Sequence, residues 1–261
     1  MAHKDPLALY EPVNVYKPWG VAIGIVDGPL VYMNYPGLPF LKFPFPTRMT
    51  VVQLQNGNLW LHSPTAYTPE LAEALSKLGR IAHLVSPNLL HYANIAAWKA
   101  HFPEAVAWAS PGVLKRAKSQ NIDVRFDREL DSRAIPEAWQ DELKQAVVPG
   151  KLLDEFVFFH NASRTLIVTD TIQNFELNKL GQPARALVWL ARAYAPHGQI
   201  PLDLRATFLF NKKEIRKAAQ DMLSWQPERL ILSHGKSIEH DAPEAIRFAF
   251  RFALRGGISK A

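Results

Sequence analysis

Leu230-Ile231-Leu232-Ser233-His234-Gly235 is an apolar run that reads as a buried strand and delivers a histidine and a glycine into the loop behind it. About 60 residues earlier, Leu166-Ile167-Val168-Thr169-Asp170 has the same form, an apolar strand ending in a carboxylate. Each has an ordinary explanation on its own, Asp170 as a turn or cap residue and His234 as a polar loop residue. The pairing of the two, each behind a buried strand, is the more specific signal.

Working outward, Glu155-Phe156-Val157-Phe158-Phe159-His160 precedes the Asp170 strand across Asn161 to Arg164 and forms a hairpin with it. A second hairpin is expected where Thr50-Val51-Val52-Gln53-Leu54-Gln55 and Asn58-Leu59-Trp60-Leu61-His62 flank Asn56-Gly57, a pair suited to a type I′ turn because both positions need φ > 0. After Ser63-Pro64-Thr65, Pro69 opens a helix with Leu71, Ala74, Leu75 and Leu78 on one face. Strand Ile81 to Val85, a helix near 94–101, strand Ala105 to Ala109 and a helix from Pro111 to Ser119 follow. Residues 122–150 read as loop with a short helix. Further helices are expected near 183–194, 212–224 and 243–254, the last with Ile246, Phe248, Ala249 and Phe252 on its apolar side. Residues 10–50, with Tyr35-Pro36-Gly37-Leu38-Pro39 and Phe43-Pro44-Phe45-Pro46, read as short strands and ordered loops, since proline removes a donor and fixes φ. Hairpin, then β-α-β-α, then a repeat of that order predict an α/β fold: two mixed sheets face to face with helices outside. Length and a 48% hydrophobic content fit a single domain over 1–261, with residues 1–13 peripheral.

Composition narrows the function. Zero cysteines exclude disulfides, thiolate metal sites and a thiol nucleophile, so any metal must sit on His, Asp or Glu. The net charge of +6 and the pI near 9.5 come from dispersed basic residues, which argues against a nucleic-acid partner. No apolar run approaches the ~18 residues of a membrane span, so no membrane partner is expected. The opening Met1-Ala2-His3-Lys4-Asp5-Pro6 does not read as an export peptide, so a cytoplasmic location is expected.

The order of elements and the two strand-end motifs resemble the metallo-β-lactamase superfamily, from about residue 14 onward. Leu61-His62-Ser63-Pro64, Leu90-His91, Phe158 to Leu166 and Ser233-His234-Gly235 look like a branch of it described only as a domain of unknown function. The resemblance implies a metallo-β-lactamase-like αββα sandwich whose loops carry metal ligands, with His234 as the last ligand histidine and Asp170 as the metal-contacting carboxylate. Where that family has its T-H-x-H-x-D-H loop, this chain reads Ser86-Pro87-Asn88-Leu89-Leu90-His91-Tyr92, and where it has G-H-T, Lys151 follows Gly150. Proline and leucine offer no lone pair, and lysine must first lose a proton. One of the two family metal positions is therefore lost. His91, Asp170 and His234 remain as the metal-ligand candidates for one Zn or Fe ion, or for none.

In this reading Asp170, His91 and Lys151 are the candidate catalytic groups, the first two positioning water or accepting a proton and Lys151 stabilising negative charge. His62, Tyr92 and Lys151 are the candidate contacts to a small-molecule substrate or ligand. His160 is assigned to structure, beside Arg164: five residues of strand at ~3.3 Å each put it ~16 Å from Asp170. Three functions stay open: a single-ion metal-dependent hydrolase, a non-catalytic binding protein whose cleft Pro87 and Leu89 make apolar, and a non-haem Fe(II) enzyme using two histidines and a carboxylate. A serine hydrolase is disfavoured because no G-x-S-x-G elbow occurs. Oligomeric state, substrate and pathway are not legible.

Overall fold

The computed structural model describes residues 8–35, 38–151, 153–208 and 211–255. Seven strands form one mixed sheet in chain order: β1 (Tyr16–Gly20), β2 (Ile23–Tyr35), β3 (Leu38–Gln53), β4 (Asn58–His62), β5 (Arg80–Ser86), β6 (Val106–Ala109) and β7 (Arg128–Glu129). The pairs from β1 to β4 are antiparallel and those from β4 to β7 parallel. A second sheet, ordered β11-β10-β9-β8, comprises β8 (Leu143–Val148), β9 (Glu155–His160), β10 (Thr165–Ile167) and β11 (Arg229–Ile231), with β10 and β11 parallel. The helices are α1 (Pro69–Ser76), α2 (Ile95–His101), α3 (Val113–Ser119), α4 (Ala184–Ala191), α5 (Leu202–Phe208), α6 (Lys212–Ser224), α7 (Ala242–Ala249) and α8 (Arg251–Leu254).

Three apolar clusters make the layers. Ile23, Val52, Trp60 and Val85 meet Phe156, Phe158, Ile167 and Ile231 between the two sheets. Leu59, Leu61 and Leu84, on the opposite face of the first sheet, pack against Leu71, Ile95, Trp98 and Val113 of α1 to α3. Phe159, Leu166 and Leu230 of the second sheet pack against Ile215, Met222 and Ile246 of α6 and α7. Adjacent strand residues thus point into different cores, and the alternation of each strand is satisfied on both faces. The expected αββα sandwich is the fold of this chain.

Several local expectations are corrected. The Asn56-Gly57 hairpin does not use a type I′ turn: of the two, only Gly57 has positive φ, at 79°, with Gly57 N–H donating to Leu54 C=O at 2.8 Å and Leu54 N–H to Asn58 C=O at 2.8 Å. This is a type I turn closed by a glycine bulge, which leaves a three-residue loop. Within residues 10–50, β1 is short as expected, but β2 and β3 are long strands of 13 and 16 residues. Between β2 and β3 the register shifts between Gly28 and Val31, so that Pro29 and Leu30 together oppose Pro46, which accommodates these two prolines. Pro36 and Gly37 of that proline-rich run fall outside the described residues, as do residues 1–7 of the segment expected to be peripheral. Residues 122–150 hold strands β7 and β8 instead of a helix; Lys144 and Gln145 mask the alternation of an edge strand. On α1, Ala72 rather than Ala74 is buried, and on α7 Phe248 is exposed. The last helix is two, α7 and α8, on either side of Phe250.

Candidate metal centre

Four strand ends build the site. β4 runs out into Ser63, β5 into Pro87 and Asn88, β10 into Thr169 and Asp170, and β11 into Ser233 and His234. There His91 Nε2 lies 3.1 Å from Asp170 Oδ2, and His234 Nε2 lies 3.0 Å from Asp170 Oδ1. One donor atom from each of His91, Asp170 and His234 falls within 4.8 Å of the others. The three side chains are 10%, 7% and 6% exposed, so the cluster sits just beneath the surface.

The far side of each ring is also held. His234 Nδ1 donates to Pro46 C=O at 2.8 Å, and His91 Nδ1 lies 2.5 Å from Ser63 Oγ. For His234 this leaves one arrangement. Both nitrogens face oxygen atoms, so either a hydrogen or a metal ion belongs between Nε2 and Asp170 Oδ1.

Asn88 organises the loop that carries His91. Its Nδ2 donates to Asp170 Oδ2 at 2.7 Å and to Thr169 Oγ1 at 2.9 Å, while its Oδ1 accepts the backbone N–H groups of Leu90 and His91 at 2.8 and 3.2 Å. Asp170 is held from behind by Glu155, whose carboxylate accepts the backbone N–H groups of Thr169, Asp170 and Thr171 at 2.6–2.8 Å. The His234 loop is tied down by buried Arg48, which donates to Leu232 C=O and Gly235 C=O at 2.7 and 2.8 Å and pairs with Asp27 at 2.7 Å. Gly235 itself has φ 115°, and a Cβ there would lie 2.3 Å from Asn174. Only glycine lets the two loops approach this closely.

The charges interact strongly. Burial alone would raise the Asp170 carboxyl, but the neighbouring His91 and His234 overcome it and hold the group well below the usual carboxylate range. Burial, followed by the charge of Asp170, pushes Glu155 up against the opposing pull of its backbone N–H partners. Burial would lower His91, yet Asp170, with Glu155 behind it, raises it above its ordinary value.

Two imidazole Nε2 atoms and a carboxylate, oriented by partners on their outer nitrogens, fit one divalent ion. A backbone carbonyl or hydroxyl on Nδ1 is the usual way of aiming the other ring nitrogen at a metal.

The remaining sequence candidates do not join the cluster. His62 is buried, stacked on Trp60 with ring centroids 5.3 Å apart and edge-on to Phe158 at 5.5 Å, inside the inter-sheet core. Burial and the nearby His91 push its pKa down to about 3. Tyr92 packs with the helices outside the first sheet and donates its hydroxyl to Gln120 Oε1 at 2.5 Å. Lys151 is exposed beyond β8, in a turn closed by Gly150 N–H to Asp154 Oδ1 at 2.9 Å. Pro87 accepts the N–H of Phe156 at 2.9 Å, and Leu89 packs beside the helix-side cluster. His160 pairs with Thr165 at the other end of the hairpin from Asp170 and bonds Ser163 Oγ at 2.8 Å, whereas Arg164 turns away to Glu228.

Sequence reading overlooked Asn88, Ser63, Glu155 and the Arg48–Asp27 pair. Two had a signal. Asn88 stands three residues before His91, the spacing of a side-chain-capped turn. Glu155 is a carboxylate opening an otherwise apolar strand, and a buried charge has to be paired.

Fold and site together define a divergent member of the metallo-β-lactamase fold. The chain belongs to the family described as Domain of unknown function (DUF4336), whose model matches residues 37–179. Solved structures of similar fold include a metallo-β-lactamase from Hirschia baltica, 14% identical with a TM-score of 0.57 over 92% of this chain and 97% of that one. The mono-zinc form of the metallo-β-lactamase FIM-1 from Pseudomonas aeruginosa is 12% identical with a TM-score of 0.57, over 96% of each chain. A metal-soaked Flv1 flavodiiron core from Synechocystis sp. PCC6803 is 10% identical with a TM-score of 0.61; the match spans 92% of this chain and 60% of that one. No curated protein sequence matches the chain. At these identities the likeness establishes the fold.

Proposed function

We propose that this protein is a metal-dependent hydrolase with a reduced, single-ion site held by His91 Nε2, the Asp170 carboxylate and His234 Nε2. The supporting observation is the convergence of one donor atom from each of these side chains within 4.8 Å, with the outer ring nitrogens held by Ser63 and the Pro46 carbonyl. A divalent ion there would supply Lewis acidity to a hydrolytic water. Ser63 and Pro46 aim the two rings, Asn88 fixes the rotamer of Asp170, and Glu155 fixes its backbone. The solved neighbours with a mono-zinc site and a flavodiiron core make Zn and Fe the two metals to test.

The experiment is metal analysis of protein purified without chelator, followed by calorimetric titration of the apoprotein with Zn²⁺ and, anaerobically, Fe²⁺. The expected result is one ion per chain, with ester, lactam and phosphodiester substrates then screened on the loaded protein. Protein that takes up neither ion at neutral pH would end this proposal.

A second reading is favoured by the completeness of the cluster. Both oxygens of Asp170 have nitrogen partners in His91, His234 and Asn88, and all three cluster side chains are nearly covered. A protonated cluster of this kind would serve as a polar cross-link in a non-catalytic binding protein. Iron uptake with oxygen consumption would instead support the non-haem Fe(II) reading.

A further inference from the structure

We propose that the face formed by α4, the start of α5 and the α7–α8 junction is a docking surface for an anionic lipid bilayer. Trp189 and Leu190 on α4 are 58% and 60% exposed, and Leu202 and Phe248 are each 39% exposed. Among the described residues these are the large exposed hydrophobics of the second half, and Trp189, Leu202 and Phe248 each have an arginine nearby. Arg192 follows Trp189 by one helical turn, Arg205 follows Leu202 by one turn on α5, and the guanidinium of Arg251 lies 4.0 Å over the Phe248 ring.

The arginines are gathered by packing. Buried Gln199 donates to Arg192 C=O at 2.9 Å and accepts from Arg251 at 2.5 Å, which joins the end of α4 to α8. Arg205 stacks 4.8 Å over Phe252, one turn along from Phe248. Burial and then the positive charges of Arg205, Arg192 and Arg255 lower the pKa of Arg251, the mark of like charges held together. Among the described residues, no carboxylate forms an ion pair with Arg185, Arg192, Arg205, Arg251 or Arg255.

Charge complementarity selects the occupant. Unpaired guanidiniums call for an anionic partner. Exposed tryptophan and leucine between them call for an apolar layer directly behind the anions, which is the order found at a bilayer surface: acidic headgroups outside, acyl chains within. A second copy of this chain meeting the face by two-fold symmetry would set arginine against arginine. The sequence expectation of no membrane partner rested on the lack of a spanning segment, and no helix among the described residues is long and apolar enough to cross. A peripheral face needs no span.

The test is co-sedimentation of the full chain with vesicles of phosphatidylcholine alone and of equimolar phosphatidylcholine and phosphatidylglycerol. Binding is expected to the anionic vesicles, and to fall with added salt. Arg192→Gln and Arg255→Gln, both exposed, are expected to weaken it about fivefold each, the effect of roughly 1 kcal/mol per basic residue near a charged surface. The double variant Trp189→Ser/Leu190→Ser should weaken it at least about tenfold, the loss of part of their apolar burial. Unchanged thermal melting of these variants will show that the fold is intact. The proposal is overturned if the protein stays in solution with both vesicle types, if the variants bind as the parent does, or if the serine variant instead abolishes a dimer in sedimentation.

Discussion

Ser63 Oγ lies 2.5 Å from His91 Nδ1, and Ser63 pays for that contact with a left-handed backbone, φ 53°. Non-glycine residues rarely adopt this conformation, and they cluster at functional sites when they do. The hydroxyl fixes which way the His91 ring faces Asp170. Ser63→Gly should therefore relieve the backbone while removing the hydroxyl. The expected outcome is an unchanged or slightly raised melting temperature with metal affinity weakened about 10- to 100-fold, the usual effect of losing such an outer partner. Calorimetric titration with Zn²⁺ checks it.

Asn88 makes four hydrogen bonds from one buried side chain. Asn88→Ala leaves Asp170 Oδ2 short of a donor and two backbone N–H groups short of an acceptor. A loss of about 2–3 kcal/mol in stability is expected, at the upper end for stranded buried polar groups. Urea unfolding at neutral pH measures it, and a change under about 0.5 kcal/mol, the range of a bland surface substitution, would contradict the assigned role.

Gly235→Ala combines a Cβ placed 2.3 Å from the Asn174 backbone with φ 115°. Neither neighbour is a flexible side chain, so the loops must separate. A cost of at least about 3 kcal/mol is expected from strain and overlap together. Because His234 precedes Gly235, the same variant should lose metal binding even where it stays folded, as titration will reveal.

Buried histidines set the response to acid. His160 and His83 are both lowered to about 4, chiefly by burial, against an unfolded value near 6.5. The unfolded chain then binds the proton first. The stability of the neutral rings is complete above pH 6.5 and is lost as pH falls through the window from 6.5 to 4. Each contributes a loss of up to about 2 kcal/mol between pH 6.5 and 5. His160→Gln should flatten the fall in unfolding free energy between pH 7 and 5 by roughly that share.

Much of the architecture was legible because strand periodicity and helix stops are local. The Asp170 and His234 strands, the two hairpins and most helices follow from apolar spacing alone. What escaped was set by neighbours. β8 looks polar because it is an edge strand, and β2 and β3 look broken by proline until the bulge at Pro29 and Leu30 is paired against Pro46. The turn at Asn56-Gly57 satisfied a type I′ pattern in sequence and took another form, because Leu54 and Asn58 close a three-residue loop.

At the site the division is sharper. The sequence by itself determined the chemical alphabet: no cysteine, a histidine and a carboxylate at two strand ends, and proline, leucine and lysine where the resembled family carries ligands. Only the tertiary structure decided that His91 joins Asp170 and His234 while His62, Tyr92 and Lys151 do not, since His91 reaches the carboxylate through a loop bent by Asn88. Ligand identity is a property of residue types, which sequence carries. Convergence within a few ångströms depends on long-range contacts such as Ser63 to His91, Glu155 to Asp170 and Arg48 to Gly235, and these exist only once the two sheets have packed.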